Sequence, residues 1–220
     1  MSNAVIQLLV LAGIAIFLIL RLKSVLGTRE GFEKPEVPLE APETRSVRRG
    51  FEVIEGGPDQ DITDHVPEGS DAAIALAAMK RAEPTFNVTG FLQGARGAYE
   101  MILMAFEKGE IEKVRAFLAP EVYAAFESVV KDREQQGLTV QAEFLGLRDL
   151  ALEEAEFNNS TREAELSVRF TGELISSVRD ANGTVVEGDP KASRKQRDVW
   201  TFARKMGSAD PNWQLVATGG

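Results

Sequence analysis

An apolar run near the N-terminus limits most strongly what this chain can fold into. From Ala4 to Leu22 nearly every residue is Ala, Val, Ile, Leu or Phe, and the first charge in the run is Arg21. A helix of about 19 residues rises roughly 28 Å, close to the ~30 Å hydrocarbon core of a bilayer. Arg21 and Lys23 can extend their charged ends to the interface. We therefore expect residues 1–26 to form a transmembrane anchor, with residues 4–22 in the membrane.

The charges around this run predict its direction. Residues 1–7 contain no Lys or Arg, whereas Arg21, Lys23 and Arg29 follow the apolar core. A cleaved signal peptide, the alternative interpretation, has a basic start and a shorter apolar core. Because cytoplasmic flanks of membrane helices are enriched in Lys and Arg, the rest of the chain should be cytoplasmic. The expectation is a single-pass inner-membrane protein with a periplasmic N-terminus and a cytoplasmic C-terminal domain.

Composition excludes several functional classes. The 220 residues include no cysteine, which excludes disulfides, thiol catalysis and Cys-ligated metals. The formal net charge is −9, so the chain is a poor general binder of nucleic acid. No phosphate loop, metal-ligand cluster or nucleophile motif is present. We therefore expect no nucleic-acid partner, no metal and no cofactor.

Two segments separate the anchor from the main domain. Residues 27–69 are acidic and rich in Pro and Gly, which is typical of a linker, and they include the only histidine, His65. Residues 70–87 predict a short Ala-rich helix that begins after the N-cap Ser70 and stops before Pro84. One apolar face of this helix carries Ile74, Ala75, Ala78, Met79 and Ala82. That face should dock on this domain or on a partner.

Residues 88–220 predict helices first and strands afterwards. Helical spacing of apolar residues runs from about Val88 to Gly109, a short helix follows through Leu118, and Pro120 opens a third helix ending near Gly137. Alternating polarity then predicts strands at 138–152, 163–179, 185–186, 194–205 and 213–218. Such an order indicates an α+β fold with helices on one side of a curved antiparallel sheet.

Two glycines in the first long helix are unexpected. Gly94 and Gly97 lie inside the helical pattern, where each glycine costs about 1 kcal/mol relative to alanine. Their presence suggests that another backbone approaches this helix closely.

Several motifs carry a family resemblance. They are Phe91-Leu-Gln-Gly-Ala-Arg-Gly-Ala-Tyr-Glu-Met-Ile, Ala105-Phe-Glu-Lys-Gly, Leu118-Ala-Pro-Glu-Val-Tyr, Val186-Glu-Gly-Asp-Pro, Asp198-Val-Trp-Thr-Phe and Asp210-Pro-Asn-Trp-Gln-Leu-Val-Ala-Thr. In these residues the chain resembles the C-terminal domain of the 44-kDa subunit of the mitochondrial inner-membrane presequence translocase. Bacterial members of that family have a similar order of anchor, linker and domain. The resemblance covers about residues 88–220.

The resemblance implies both a fold and a role. The fold would be a cone-shaped domain similar to nuclear transport factor 2, of the cystatin-like kind, with an apolar pocket. The role would be that of a membrane-anchored adaptor at the cytoplasmic face of a bacterial inner membrane. Its expected partners are the inner membrane itself, a membrane protein complex or translocation and assembly machinery, and phospholipid.

Two groups of residues are candidates for binding. The first group is aromatic and either packs in an ordinary core or lines a cavity for an acyl chain or apolar peptide. Its members are Tyr99, Phe144, Phe170, Trp200, Phe202 and Trp213. The second group is basic and forms either a solvated strand edge or a site at the pocket rim for headgroups or an acidic partner. Its members are Lys191, Arg194, Lys195 and Arg197.

A different function would use the same pocket. The domain could be a binding module for lipid or a small apolar ligand, or a cryptic isomerase. An isomerase needs a general acid or base inside the cone, and His65 falls in the predicted linker. An Asp or Glu whose pKa is raised by burial could serve instead, but the inward positions predicted here are Phe, Leu, Val and Trp. No catalytic residue is therefore assigned, and we expect that the protein is not an enzyme.

Overall fold

The computed structural model describes residues 59–219. The predicted anchor at 4–22 and the linker up to residue 58 lie outside these residues. The helices are α1 (Gln60–Thr63), α2 (Asp71–Ala82), α3 (Val88–Glu107), a 3-10 helix (Ile111–Phe117) and α4 (Pro120–Gln135). The strands are β1 (Thr139–Asn158), β2 (Glu163–Arg179), β3 (Val185–Gly188), β4 (Arg194–Lys205) and β5 (Gln214–Gly219). None of the helices between residues 59 and 219 has the length and apolar character needed to cross a bilayer.

One antiparallel sheet organises the domain. Its strands follow the order β1-β2-β4-β5, and β3 pairs with the end of β2. Along β2 the buried residues alternate, so that Leu166, Val168 and Phe170 face the helices while Glu165 lies on the outer face. Three register shifts interrupt the pairing of β1 with β2. Such irregularities bend a strand, and the sheet curves around the helices. The α+β prediction is confirmed.

Helix α3 crosses the inner face of the sheet and supplies much of the core. Tyr99 and Ile102 are completely buried between this helix and the strands. Asn87 caps the helix because its side chain accepts a hydrogen bond from the Gly90 backbone N–H. The predicted helix beginning near Val88 is confirmed.

Helix α2 docks on its own domain. Ser70 caps it as predicted, accepting a hydrogen bond from the Ala73 N–H at 3.2 Å. Leu76 and Met79 are fully buried in the common core. Ile74, placed on the apolar face by the sequence, is instead 61% exposed. The buried residues of α2 are Ala73, Leu76, Ala78 and Met79. Ala78 and Met79 are therefore buried as predicted, whereas Leu76 is buried in place of Ile74.

Residues 59–69 belong to the folded domain, although the sequence assigned them to the linker. Helix α1 lies here, and Ile62 and Val66 are buried in the core. The carboxylate of Asp61 accepts hydrogen bonds from the Val88 and Thr89 backbone N–H groups at 2.8 and 3.0 Å. The mostly polar composition of this segment is typical of a linker. Its few apolar residues nevertheless belong to the core.

Candidate functional site

A cleft of about 390 Å³ lies where the first turns of α3 meet the end of β4 and the connection between β4 and β5. Cavities of this size are typical of binding sites. Its aromatic lining consists of Phe86, Phe91, Phe117, Phe202 and Trp213. The remaining lining that matters here is Glu83, Gly90, Gly94, Ala98, Arg204, Pro211 and Asn212.

Contacts between aromatic rings fix the wall of the cleft. The ring centroids of Phe91 and Trp213 are 4.7 Å apart with the planes at 60°, and those of Phe86 and Trp213 are 6.0 Å apart. Phe91 also meets Phe202 at 6.1 Å in an edge-to-face arrangement. Edge-to-face pairs of this kind add stability beyond the area they bury. The wall is therefore a preformed apolar surface.

The two charged residues of the lining neutralise each other. Arg204 Nη2 lies 2.6 Å from Glu83 Oε1, and the Gly207 backbone N–H donates to Glu83 Oε2 at 2.7 Å. Burial disfavours the ionised Glu83 carboxylate, but these bonds outweigh it and lower the pKa of the carboxyl. The Arg204 guanidinium also lies 5.3 Å from the centre of the Trp213 ring. The pair thereby fastens α2 to the end of β4 and supports the cleft wall.

Arg204 has one group without a partner. Its side chain is only 8% exposed, yet Nε has no hydrogen-bond acceptor among residues 59–219. Buried polar groups are normally hydrogen-bonded, because leaving a donor unmade costs about 1–3 kcal/mol.

The two unexpected glycines of α3 face open space. A Cβ built on Gly94 or Gly97 would meet no atom within 4 Å in the described part of the chain. Both positions are exposed, and Gly94 lines the cleft. The predicted close approach is therefore not made by any backbone within residues 59–219.

The structure divides the six predicted aromatic residues into two sets. Phe202 and Trp213 line the cleft. Tyr99, Phe170 and Trp200 pack on one another in the core, with the Tyr99 and Phe170 rings stacked at 4.4 Å and 11°. Phe144 joins this second set.

Phe144 lies over a glycine that makes room for it. Its ring comes within 3.0 Å of the position that a Cβ on Gly172 would take, and it meets the Tyr99 ring at 5.9 Å. Four of the six residues therefore pack as core, which was one of the two interpretations of the group.

Asp198 was missed by the sequence reasoning. It extends from β4 toward the helices, and the buried Tyr99 hydroxyl donates to its Oδ2 at 2.5 Å. Burial, and after it the hydrogen bond to the Asp198 carboxylate, raises the pKa of Tyr99. The available signal was the inward alternation of Asp198 with Trp200, which places a carboxylate on the apolar face of a strand.

The predicted basic cluster does not lie at the cleft. Lys191, Arg194, Lys195 and Arg197 are all exposed. Arg197 pairs with Thr171 in the sheet, whereas Phe202, which lines the cleft, pairs with Leu166. Five residues of strand separate them, or roughly 17 Å at the rise of a β-strand. The cluster is therefore at the opposite end of β4 from this cleft.

His65 is part of the fold. Its Nε2 lies 3.1 Å from Thr89 Oγ1, which connects the segment after α1 to the start of α3. The solvated linker position expected for this histidine is therefore corrected to a half-buried contact in the domain.

Comparison with known protein families identifies this arrangement. The model of the Tim44-like domain matches residues 72–220, which run from the second residue of α2 through all the later helices and strands described above. The chain belongs to the Tim44-like domain family. The resemblance drawn from the motifs is thus confirmed.

Two known proteins are similar in sequence to this Tim44-like chain. One is the mitochondrial import inner membrane translocase subunit TIM44 of Homo sapiens, 24% identical over 144 residues. The other is the same subunit of Mus musculus, 22% identical over 144 residues. In both comparisons the match covers 64% of this chain and 31% of the relative. The Tim44-like chain thus spans less than a third of the length of these relatives.

One solved structure is also similar. It is the crystal structure of the intermembrane space region of the chloroplast protein ARC6, with a TM-score of 0.40 and 12% identity. The similarity covers 58% of the Tim44-like chain and 94% of that structure.

Proposed function

We propose that this protein is a membrane-anchored adaptor at the cytoplasmic face of a bacterial inner membrane. It binds protein partners, and phospholipid, in membrane-protein translocation or complex assembly. The observation that carries the proposal is the Tim44-like domain at residues 72–220, whose two relatives are named as subunits of an inner-membrane translocase. The domain is proposed to be a cone similar to nuclear transport factor 2, and no catalytic step is assigned to it.

Two surfaces of the domain suit an adaptor. The cleft presents aromatic walls and a mutually neutralised ion pair, which favours apolar partners. The basic cluster lies at the other end of β4, and Val186 on the adjacent β3 is 55% exposed. Exposed cations beside an apolar side chain favour anionic headgroups or an acidic protein surface. The two ends could thus contact different partners.

Co-purification from native membranes tests the adaptor role. The tagged full-length protein is extracted in mild detergent, and the proteins recovered with it are identified. The control keeps residues 1–58 and replaces the domain with an unrelated folded domain of similar size. We expect components of a membrane protein complex with the full-length protein and not with the control. Repeated recovery of the full-length protein alone contradicts an adaptor function.

The cleft also favours a second candidate, a binding module for a lipid or small apolar ligand. Native mass spectrometry of the full-length protein released from micelles separates it from the first. A stoichiometric bound lipid or metabolite, without protein partners, supports the module. Protein partners on an empty cleft support the adaptor.

A further inference from the structure

We infer that Asn182, in the turn between β2 and β3, is a site of covalent modification at which the side-chain amide is lost through a cyclic imide. This inference goes beyond the proposed adaptor function and does not depend on it. Residues 181–184 are all exposed, and Asn182 is followed by Gly183. Because glycine has no side chain, its backbone nitrogen can approach the preceding side chain without hindrance.

The reaction uses only the groups of this turn and water. The Gly183 backbone nitrogen gives up its proton to hydroxide and attacks the side-chain carbonyl carbon of Asn182, forming a new C–N bond. The bond from that carbon to the amide nitrogen breaks, and ammonia leaves with a proton from water. Water then opens the imide ring at either carbonyl. Opening at one carbonyl gives aspartate, and opening at the other gives isoaspartate, whose main chain runs through the former side chain.

The structure leaves the Asn182 side chain free to react. Within residues 59–219 its amide makes no hydrogen bond, and a Cβ built on Gly183 would meet no atom of the described chain within 4 Å. One contact opposes the reaction, because the Gly183 N–H donates to the Asp180 carbonyl at 2.9 Å. This bond lies in an exposed turn and must open before attack. The folded protein should therefore react, but more slowly than a free peptide.

The other asparagines of residues 59–219 lack at least one of these features. The side-chain oxygens of Asn87 and Asn158 accept hydrogen bonds from backbone N–H groups. Asn159 and Asn212 are exposed, but each precedes a residue that carries a side chain. Asn182 is thus distinguished both by its neighbour in the sequence and by its surroundings in the fold.

The isoaspartyl product disturbs the hairpin, because it lengthens the main chain by one methylene group before Gly183. Asp180 Oδ1 accepts from the Asn182 and Thr184 N–H groups, both at 2.9 Å, and Arg179 Nη1 donates to the Gly183 carbonyl at 2.8 Å. These bonds fit a main chain of ordinary length. Strand β3 has only four residues and pairs with the end of β2, so its pairing should weaken as the product accumulates.

Peptide mass spectrometry of the aged full-length protein tests the inference. The protein is kept in mild detergent at pH 8 beside a synthetic peptide of residues 176–187, until most of the peptide is converted. Trypsin then releases residues 180–191, in which Asn182 is the only asparagine. Conversion at Asn182 should exceed that at Asn159 and at Asn212 at least tenfold, and part of the product should be a substrate for an isoaspartyl carboxyl methyltransferase. Equal conversion at the three residues, or aspartate without isoaspartate, would overturn the inference.

Gly183→Ala tests the role of the glycine. The added Cβ has open space, but the φ of +81° strains an alanine, which favours opening of the turn. Slower conversion in this variant therefore reports hindered attack and not a tighter turn. We expect at least a tenfold decrease in rate at residue 182. An unchanged rate would refute attack by the Gly183 nitrogen.

Hydrogen exchange tests the effect on the hairpin. Asn182→Asp is the matched control, since it adds the negative charge of the product without the extra methylene group. The amides of β3 should exchange at least fivefold faster in the isoaspartyl protein than in Asn182→Asp. Equal exchange in the two proteins would contradict the proposed effect on β3.

Discussion

The hydrogen bond between Tyr99 and Asp198 provides a sharp test of the core, because one atom can be removed without disturbing the rings around it. In Tyr99→Phe the stacked contact with Phe170 at 4.4 Å and the tilted contact with Trp200 at 4.7 Å are retained. Only the hydroxyl that donates to Asp198 Oδ2 at 2.5 Å is lost. No other side-chain hydrogen bond to the Asp198 carboxylate is found within residues 59–219.

The magnitude follows from the charge of the acceptor. A hydrogen bond to a charged group contributes about 1.5–3 kcal/mol, and its loss leaves a half-buried carboxylate without a donor. For a domain of this size that corresponds to a fall in melting temperature of roughly 3–12 °C. The measurement is urea and thermal unfolding of the full-length protein in mild detergent, followed by tryptophan fluorescence. Trp200 contacts the Tyr99 ring and therefore reports on this part of the core.

Tyr123→Phe is the matched control, because the chain has only two tyrosines. The Tyr123 hydroxyl also donates to a carboxylate, Glu112 Oε2 at 2.7 Å, but at the surface. Its removal should change the free energy of unfolding by less than about 0.5 kcal/mol. If the two substitutions had equal effects, the reasoning that burial makes the Asp198 bond important would be refuted.

The same bond predicts a dependence on alkaline pH. Burial and the Asp198 carboxylate raise the pKa of Tyr99 in the folded state above its value of about 10 in the unfolded chain. The resulting stability is fully present below pH 10 and is lost as pH rises toward the folded pKa. The unsubstituted protein should lose up to about 1.4 kcal/mol per pH unit more than Tyr99→Phe above pH 10. Parallel curves for the two proteins would contradict this account.

Four further outcomes are expected. Burial raises the pKa of the Asp61 carboxyl, but hydrogen bonds from Lys80 and from the backbone at the start of α3 outweigh it, so the pKa is lowered. The stability that Asp61 contributes is therefore present above about pH 4 and is lost as the pH falls. In Asp61→Asn the free energy of unfolding should consequently depend less on pH in the acid range. Glu83→Gln, which leaves the buried Arg204 unpaired, should reduce the free energy of unfolding by about 3 kcal/mol in urea titrations. Gly94→Ala should raise it by about 1 kcal/mol, as measured in the same titrations. A membrane-impermeant maleimide should label Ala192→Cys only after spheroplasts are permeabilised, and labelling of intact spheroplasts would reverse the predicted orientation.

Local pattern determined much of the fold. The alternation of polar and apolar residues correctly predicted the length and the buried face of strand β2, because successive side chains of a strand point to opposite sides. Capping chemistry located the start of α2, since Ser70 accepts a bond from a backbone N–H group that a helix cannot satisfy itself. Helical spacing of apolar residues located the start of α3 near Val88. The strand β1 continues six residues beyond its predicted end, because charged residues on its outer face obscured the inward Ala155 and Phe157.

Tertiary packing decided what local pattern could not. The buried face of α2 was predicted only in part, because alanine is compatible with either side of a helix. Packing against the sheet determines that Leu76 is buried and that Ile74 is exposed. Residues 59–69 resembled a linker because a segment with two core residues cannot bury enough area alone to offset its ordering entropy. Contact with α2 and α3 supplies the remainder.

The candidate site shows the same division. The sequence by itself identified the family through its motifs, found the aromatic residues, and singled out Gly94 and Gly97 as unexplained. Which aromatics pack as core and which line a cleft was decided only by the structure, because burial depends on neighbours from distant parts of the chain. Trp213 and Glu83 lie at the same wall of the cleft because both contact Arg204, which β4 places between α2 and the connection from β4 to β5. The structure places these glycines on an open helix face beside an apolar cleft, which no local sequence pattern could reveal.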